Sequence, residues 1–423
     1  MGYSTNPAVV CDQTAVAIGP QNGYYCHNPN IVRYLRSRWW VEEKQLSKEE
    51  FLKRLDRAAR SLRRQELFLG LLSFLVGLGY LIVMLTWGSI RLRGFVTRPD
   101  YSQSVIVLWY LLFFTIMYHL VHFPISFVRG YVIQKRFRLS TQRFRRWLWA
   151  DFKKLMVSTG LVVFLGEFLY LFLRRFPETW WAIAWVGYVI FSLLLNRYGA
   201  RVLLPIFYKR ADLENDELRR RIESVVERAG FTVEGVKRII LEKDTRRANA
   251  AVVGLGSSKE ILVSDTLISN LTPEEIEAVV AHELGHLKSH HGEALFAVGA
   301  LISMFGFTLA GGVLKLSAAT LGLQGIWDVA GFPLIILVFS GLYLAVTPPL
   351  NYISRRMERS ADLWAARFVG SPSTLASALE KLAATNLSER EQPRYYEIIF
   401  SSHPSIARRV EYLRKTAAAQ TAT

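Results

Sequence analysis

The chain has 423 residues, and 52 Lys and Arg against 35 Asp and Glu leave a formal charge of +17. Hydrophobic residues make up 51% of it, charged ones only 21%, and mean hydropathy is positive, which excludes both a disordered chain and an ordinary cytosolic globule. Two cysteines, Cys11 and Cys26, exclude a disulfide framework and a four-thiolate zinc site.

In chain order, the first thirty residues are rich in Asn, Gly, Gln and Pro, lack helical periodicity and read as a flexible lead-in without a signal peptide. Residues 1–66 as a whole are expected to form a cytoplasmic lead-in and a basic amphipathic segment. A helix needs about 20 apolar residues to cross a bilayer. Six stretches qualify or nearly do: 67–87, 105–124, 155–173 and 180–195, making a four-helix region over 67–196, then 294–314 and 329–350, making a hairpin over 294–350. Basic residues concentrate before the first span (Arg54, Arg57, Arg60, Arg63, Arg64) and in the second loop (Lys135 to Lys154). Cytoplasmic loops retain such residues, so both termini and the long fourth loop are expected in the cytoplasm. There the charge would face anionic headgroups. No nucleic-acid recognition fold accompanies it, so nucleic acid is not an expected partner.

Residues 197–293 read as an α/β unit. A helix is expected over 212–229, with Leu218, Ile222, Val225 and Val226 on one face and Gly230 as its stop. Short β-branched runs at 236–242, 250–253 and 259–264 read as strands, the last two as a hairpin. Thr272-Pro273-Glu274-Glu275 then supplies an N-cap, a proline at the first helical position and a capping-box glutamate. Residues 351–423 should add further helices, opened at Pro372 and after His403-Pro404.

The helix opened by Thr272 contains His282-Glu283-Leu284-Gly285-His286, the pattern H-E-x-x-H. Spacing of four puts both imidazoles on one face, where they can hold one Zn²⁺ per chain, and Glu283 beside them can take a proton from the attacking water. The competing reading is a polar helix face with two incidental histidines. Catalytic zinc needs a third protein ligand. The best-placed segment is 354–362, where Glu358 and Asp362 are again four apart. Glu358 would ligate, and Asp362 would accept the outer N–H of a ligand histidine; a salt-bridged Glu–Arg face is the alternative. Because 294 − 286 and 358 − 350 are both eight residues, two unbroken helices would hold the metal about 12 Å from the apolar boundary at about 1.5 Å per residue. His290 and His291 read as surface groups or as groups beside the metal.

These residues resemble the membrane-integrated zinc proteases of the type I CAAX prenyl protease family. The resemblance rests on Leu204-Pro205-Ile206-Phe207-Tyr208-Lys209, Ala248-Asn249-Ala250 with Asp265-Thr266-Leu267, the H-E-L-G-H block, 351–362, and His403-Pro404 with Arg409. Together with the six apolar stretches, it makes the expected fold a mainly α, multi-pass membrane protein of about six transmembrane helices carrying a small α+β zincin-like metalloprotease domain, made of 197–293 and 351–423. It also implies Glu358 as third ligand, His403 as donor to the developing oxyanion, and Arg409 as partner of the active-site carboxylates. The peptide would pair with an edge strand at Asn249, Ala250, Ala251 and Val252.

The expected function is zinc-dependent endoproteolysis near the C-terminus of membrane-associated or prenylated substrates. The site would lie on the cytoplasmic side, of the inner membrane in a bacterium or of the endoplasmic reticulum in a eukaryote. Two alternatives stand beside it: a heat-shock-type membrane quality-control metalloprotease, and a non-catalytic scaffold or sensor holding a structural metal.

Overall fold

In the computed structural model of the protein, residues 48–421 are described; the expected flexible lead-in, with Cys11 and Cys26, lies outside them. Six helices are long and apolar enough to cross a membrane: Lys53–Val96, Gln103–Arg136, Phe144–Arg175, Trp180–Phe207, His291–Ser317 and Val329–Val369. They coincide with the six expected spans and extend well past the apolar windows. Phe68, Leu71, Phe164, Leu301 and Tyr343 stay on the outside, as apolar side chains do when the surrounding solvent is hydrocarbon.

Helix α1 (Lys48–Val83) shows why the rods outrun their apolar cores. Its polar start does not float as a separate segment. Arg63 pairs with Glu389, Glu66 with Arg247, and Leu55, Ala59 and Leu62 pack with Leu139 and Leu387. The basic amphipathic segment expected before residue 67 is, from Lys48 on, continuous with the first crossing helix and docked at its start. α1 passes through a π-helical turn at Met84–Gly88 into α2 (Ser89–Val96), and α3 (Gln103–Phe127) passes through another at Val128–Val132 into α4 (Ile133–Arg136). α5 (Phe144–Arg175), α6 (Trp180–Val202) and the short α7 (Leu204–Phe207) follow.

The inward faces enclose Tyr110, Leu111, Tyr170, Leu173 and Trp180. Buried polar groups there are matched: the Tyr110 hydroxyl and Ser89 Oγ lie 2.7 Å apart, Tyr170 donates to the Val329 carbonyl at 3.4 Å, and Arg93 pairs with Asp328. In hydrocarbon each would otherwise cost several kcal/mol.

The α/β unit opens with β1 (Lys209–Asp212), a strand that takes in Asp212, where a helix start is expected from the sequence. The helix, α8 (Asp216–Arg228), begins later, at Asn215, whose side chain accepts from Leu218 N at 3.0 Å. β2 (Gly235–Ile240), β3 (Ala250–Val253) and β4 (Glu260–Ser264) complete a four-stranded sheet in the order β1-β2-β4-β3. β2 and β4 are parallel, and the expected β3–β4 hairpin is antiparallel. α9 (Asp265–Ile268) and α10 (Pro273–Lys288) lead to the membrane hairpin, α11 (His291–Ser317) and α12 (Phe332–Val369). α13 (Pro372–Thr385), α14 (Arg394–Phe400) and α15 (Ile406–Thr421) close the chain's described part.

Only one of the two hairpin rods runs unbroken into the soluble unit. α12 does so for 38 residues, about 57 Å at about 1.5 Å per residue. The expected continuity of α10 with α11 fails at His290, which takes a left-handed conformation, φ 53° and ψ 33°. An L-residue there strains the backbone, so neighbouring contacts must hold it.

Candidate active site

α10 is pinned at its start. Thr272 Oγ1 accepts from Glu275 N at 3.3 Å, and Thr272 N donates to Glu275 Oε2 at 2.8 Å. Glu275 is itself buried, where Lys381 Nζ at 2.6 Å and Ser377 Oγ at 2.7 Å donate to it from α13. The apolar face of α10, including Ile276, Val280 and Leu284, joins the core of the α/β unit. Position and rotation of the helix are thereby set, and with them the direction of residues 282–286.

His282 and His286 stand one turn apart with their Nε2 atoms at 3.3 Å. From α12, Glu358 Oε2 lies 3.5 Å from His282 Nε2, and Glu358 Oε1 lies 3.3 Å from His286 Nε2. One ligand atom from each of the three falls within 4.8 Å of the others, a group that could hold a metal ion. Two imidazoles and a carboxylate form a donor set that fits zinc. One turn on, Asp362 brings Oδ1 to 3.0 Å from His282 Nδ1, close but poorly angled for a hydrogen bond.

Arg409, from α15, clamps Asp362 through Nε to Oδ2 at 2.8 Å and Nη2 to Oδ1 at 2.6 Å; its Nη1 lies 3.4 Å from Glu358 Oε2. His403, just before α15, holds Nδ1 3.0 Å from the same Glu358 oxygen while its side chain is 62% exposed. Burial pulls the His282 pKa down, but Asp362 and Glu358 outweigh it and the imidazole is pushed up to about 9. A divalent cation entering this cluster must therefore expel a proton. Half-buried Glu283 has its pKa raised, by burial first, against the lowering effect of the two histidines.

A packing constraint invisible in the spacing sits between the histidines. A Cβ on Gly285 would lie 3.1 Å from both Cα and O of Ala361, the backbone of α12 between Glu358 and Asp362. The absence of a side chain at 285 lets the two helices approach closely enough for Glu358 to reach both imidazoles. Gly285→Ala should displace α12 by a few tenths of an ångström and cost about 1–3 kcal/mol. The checks are the thermal midpoint and zinc affinity of the purified variant, both expected to fall.

The residues expected to receive a peptide lie at the sheet's edge. β3 pairs only with β4 among the described residues, from Ala250 opposite Val263 to Val253 opposite Glu260. Asn249 is anchored just before it, donating N–H to Ser264 Oγ at 2.9 Å and accepting from Ser264 N at 3.0 Å. β3 packs on α10, so its free edge runs beside the H-E-x-x-H helix. Of the two histidines that follow the motif, His291 is buried, with Nδ1 2.9 Å from His286 Nδ1, and His290 is exposed.

A sequence profile described as Peptidase family M48 matches residues 212–417, and one described as CAAX prenyl protease N-terminal, five membrane helices, matches residues 43–209. The chain is 29% identical over 300 residues to the uncharacterized metalloprotease YhfN of Bacillus subtilis, covering 70% of each. It is 28% identical over 317 residues to CAAX prenyl protease 1 of Saccharomyces cerevisiae, covering 70% of this chain and 69% of that one. The fold is similar to the crystal structure of S. mikatae Ste24p, with TM-score 0.76 at 24% identity over 91% of this chain and 95% of that one. With the two profiles meeting end to end, the chain belongs to the type I CAAX prenyl protease family and is a multi-pass membrane metallopeptidase.

Proposed function

We propose that the protein is a zinc endopeptidase that cleaves membrane-associated substrates near their C-terminus, including prenylated ones. The observation that carries this reading is the convergence of His282, His286 and Glu358 at the end of a helix rising from the membrane, with Glu283 beside them. His282, His286 and Glu358 would hold the ion, whose Lewis acidity activates water and polarises the scissile carbonyl. Glu283 takes the proton from the attacking water and passes it to the leaving amine. A carboxylate with a raised pKa suits both directions of transfer. His403, exposed and next to Glu358, is placed to donate to the oxyanion as it develops. Asp362 orients His282, and Arg409 neutralises Asp362 and Glu358. Asn249, Ala250, Ala251 and Val252 pair with the peptide main chain, a mode tolerant of sequence. The catalytic unit comprises 197–293 and 351–423, joined by the hairpin 294–350, and the basic loops support a cytoplasmic site.

The test is cleavage of a farnesylated C-terminal peptide and its unprenylated counterpart by the full chain in liposomes, with and without a zinc chelator. Turnover of the farnesylated peptide at higher kcat/KM, lost on chelation and restored by zinc, is expected. Equal turnover of both peptides would favour the quality-control alternative. Inactivity toward both, with zinc bound, would favour the scaffold.

A further inference from the structure

We infer that His291 and Ser360 form a hydrogen-bonded strap that orients His286 for the metal, so that His291 is a positioning residue of the site. The inference rests on the proposed metal-binding reading and adds to it the means by which one ligand is held. The directions of the hydrogen bonds follow from donor and acceptor chemistry. Ser360 Oγ lies 2.9 Å from the Met357 carbonyl, which can only accept, so the hydroxyl proton goes there. Ser360 Oγ is then an acceptor toward His291 Nε2 at 3.0 Å, which places that ring's proton on Nε2. His291 Nδ1 is left as an acceptor, 2.9 Å from His286 Nδ1, which must carry the proton. The lone pair of His286 is thereby assigned to Nε2, the atom that faces His282 and Glu358.

The break at His290 is what makes this possible. In an unbroken helix residue 291 would lie about 140° round the axis from residue 286, beyond reach. The left-handed turn at His290 instead folds His291 back over His286, with ring centroids 5.0 Å apart at an interplanar angle of 72°. Strain at a non-glycine position persists where surrounding structure enforces it and marks functional geometry. The strap also ties two helices together, since Met357 and Ser360 flank Glu358 on α12. The two histidines are thus supported differently: His282 faces a carboxylate, His286 a neutral imidazole. A merely packed His291 would need none of these three bonds.

Zinc affinity of the full chain in detergent, measured by competition with a chromophoric chelator, tests the strap. His291→Phe should bind zinc about 10–100-fold more weakly than wild type, the usual loss for an orienting partner, in a metal-free protein that still melts cooperatively. His291→Asn, whose side-chain oxygen can occupy the place of Nδ1, should recover most of the affinity. His291→Gln, whose amide falls nearer the place of Nε2, should not. Wild-type affinity in His291→Phe, or equal affinities in the two amide variants, would overturn the strap. Should the phenylalanine variant fail to fold, the amide pair decides. Absence of zinc binding in the wild type would overturn the metal reading itself, and the strap with it.

Discussion

Glu283→Gln is expected to reduce kcat by about 10²–10⁴ while zinc content stays at the wild-type level. Glutamine keeps the size of the side chain and its capacity to hydrogen-bond, but it cannot take a proton from water. The ion should remain, because the converging group is His282, His286 and Glu358 and does not include residue 283. The pH profile supplies a second check. Burial raises the Glu283 pKa, so the base becomes competent only as pH rises through a value above the usual carboxylate range. The acid limb of kcat/KM should accordingly lie above that range in the wild type and be missing from any residual activity of the variant. Near-wild-type turnover would remove Glu283 from the chemistry, and loss of zinc together with activity would recast it as a structural contributor.

The parts of this site legible in the sequence were those written in local periodicity. A spacing of four encodes one helix face, so His282 with His286, and Glu358 with Asp362, could be paired before any contact was known. Thr272 and Glu275 announced the start of the helix because capping is a local interaction. Six apolar runs announced six crossings, since hydrocarbon thickness sets their length. What stayed hidden depends on partners far along the chain. β1 has no strand composition; Lys209 to Asp212 become a strand because β2 lies alongside. The docked start of α1 depends on Glu389 and Arg247, 326 and 181 residues from their partners Arg63 and Glu66. The break at His290 gave no proline or glycine signal at the position itself, so the helix was expected to continue, and the role of His291 was lost with it. The need for glycine at 285 comes from Ala361, which belongs to another helix.

Arg409→Met should lower the thermal midpoint of the metal-free protein more than any other single change at the site, corresponding to about 3–5 kcal/mol. Arg409 is buried, and it gives two hydrogen bonds to Asp362 and a longer contact to Glu358. Removing it leaves two buried carboxylates, one turn apart on α12, with only the His282 imidazole between them. The uncompensated charge, more than the lost contacts, sets this cost. In Arg409→Met with Asp362→Leu the unpaired carboxylate goes too, and a buried ion pair replaced by apolar groups of similar volume is often neutral or better. The double variant should therefore recover most of the midpoint. Its zinc affinity and turnover should stay low, because His282 has then lost the carboxylate that approaches its Nδ1 at 3.0 Å. Melting curves of the single and double variants, read beside chelator competition, separate the two roles. If stability and zinc affinity recover together, the Asp362–Arg409 pair holds the fold alone; if stability fails to recover, the cost lies in packing around the guanidinium rather than in its charge.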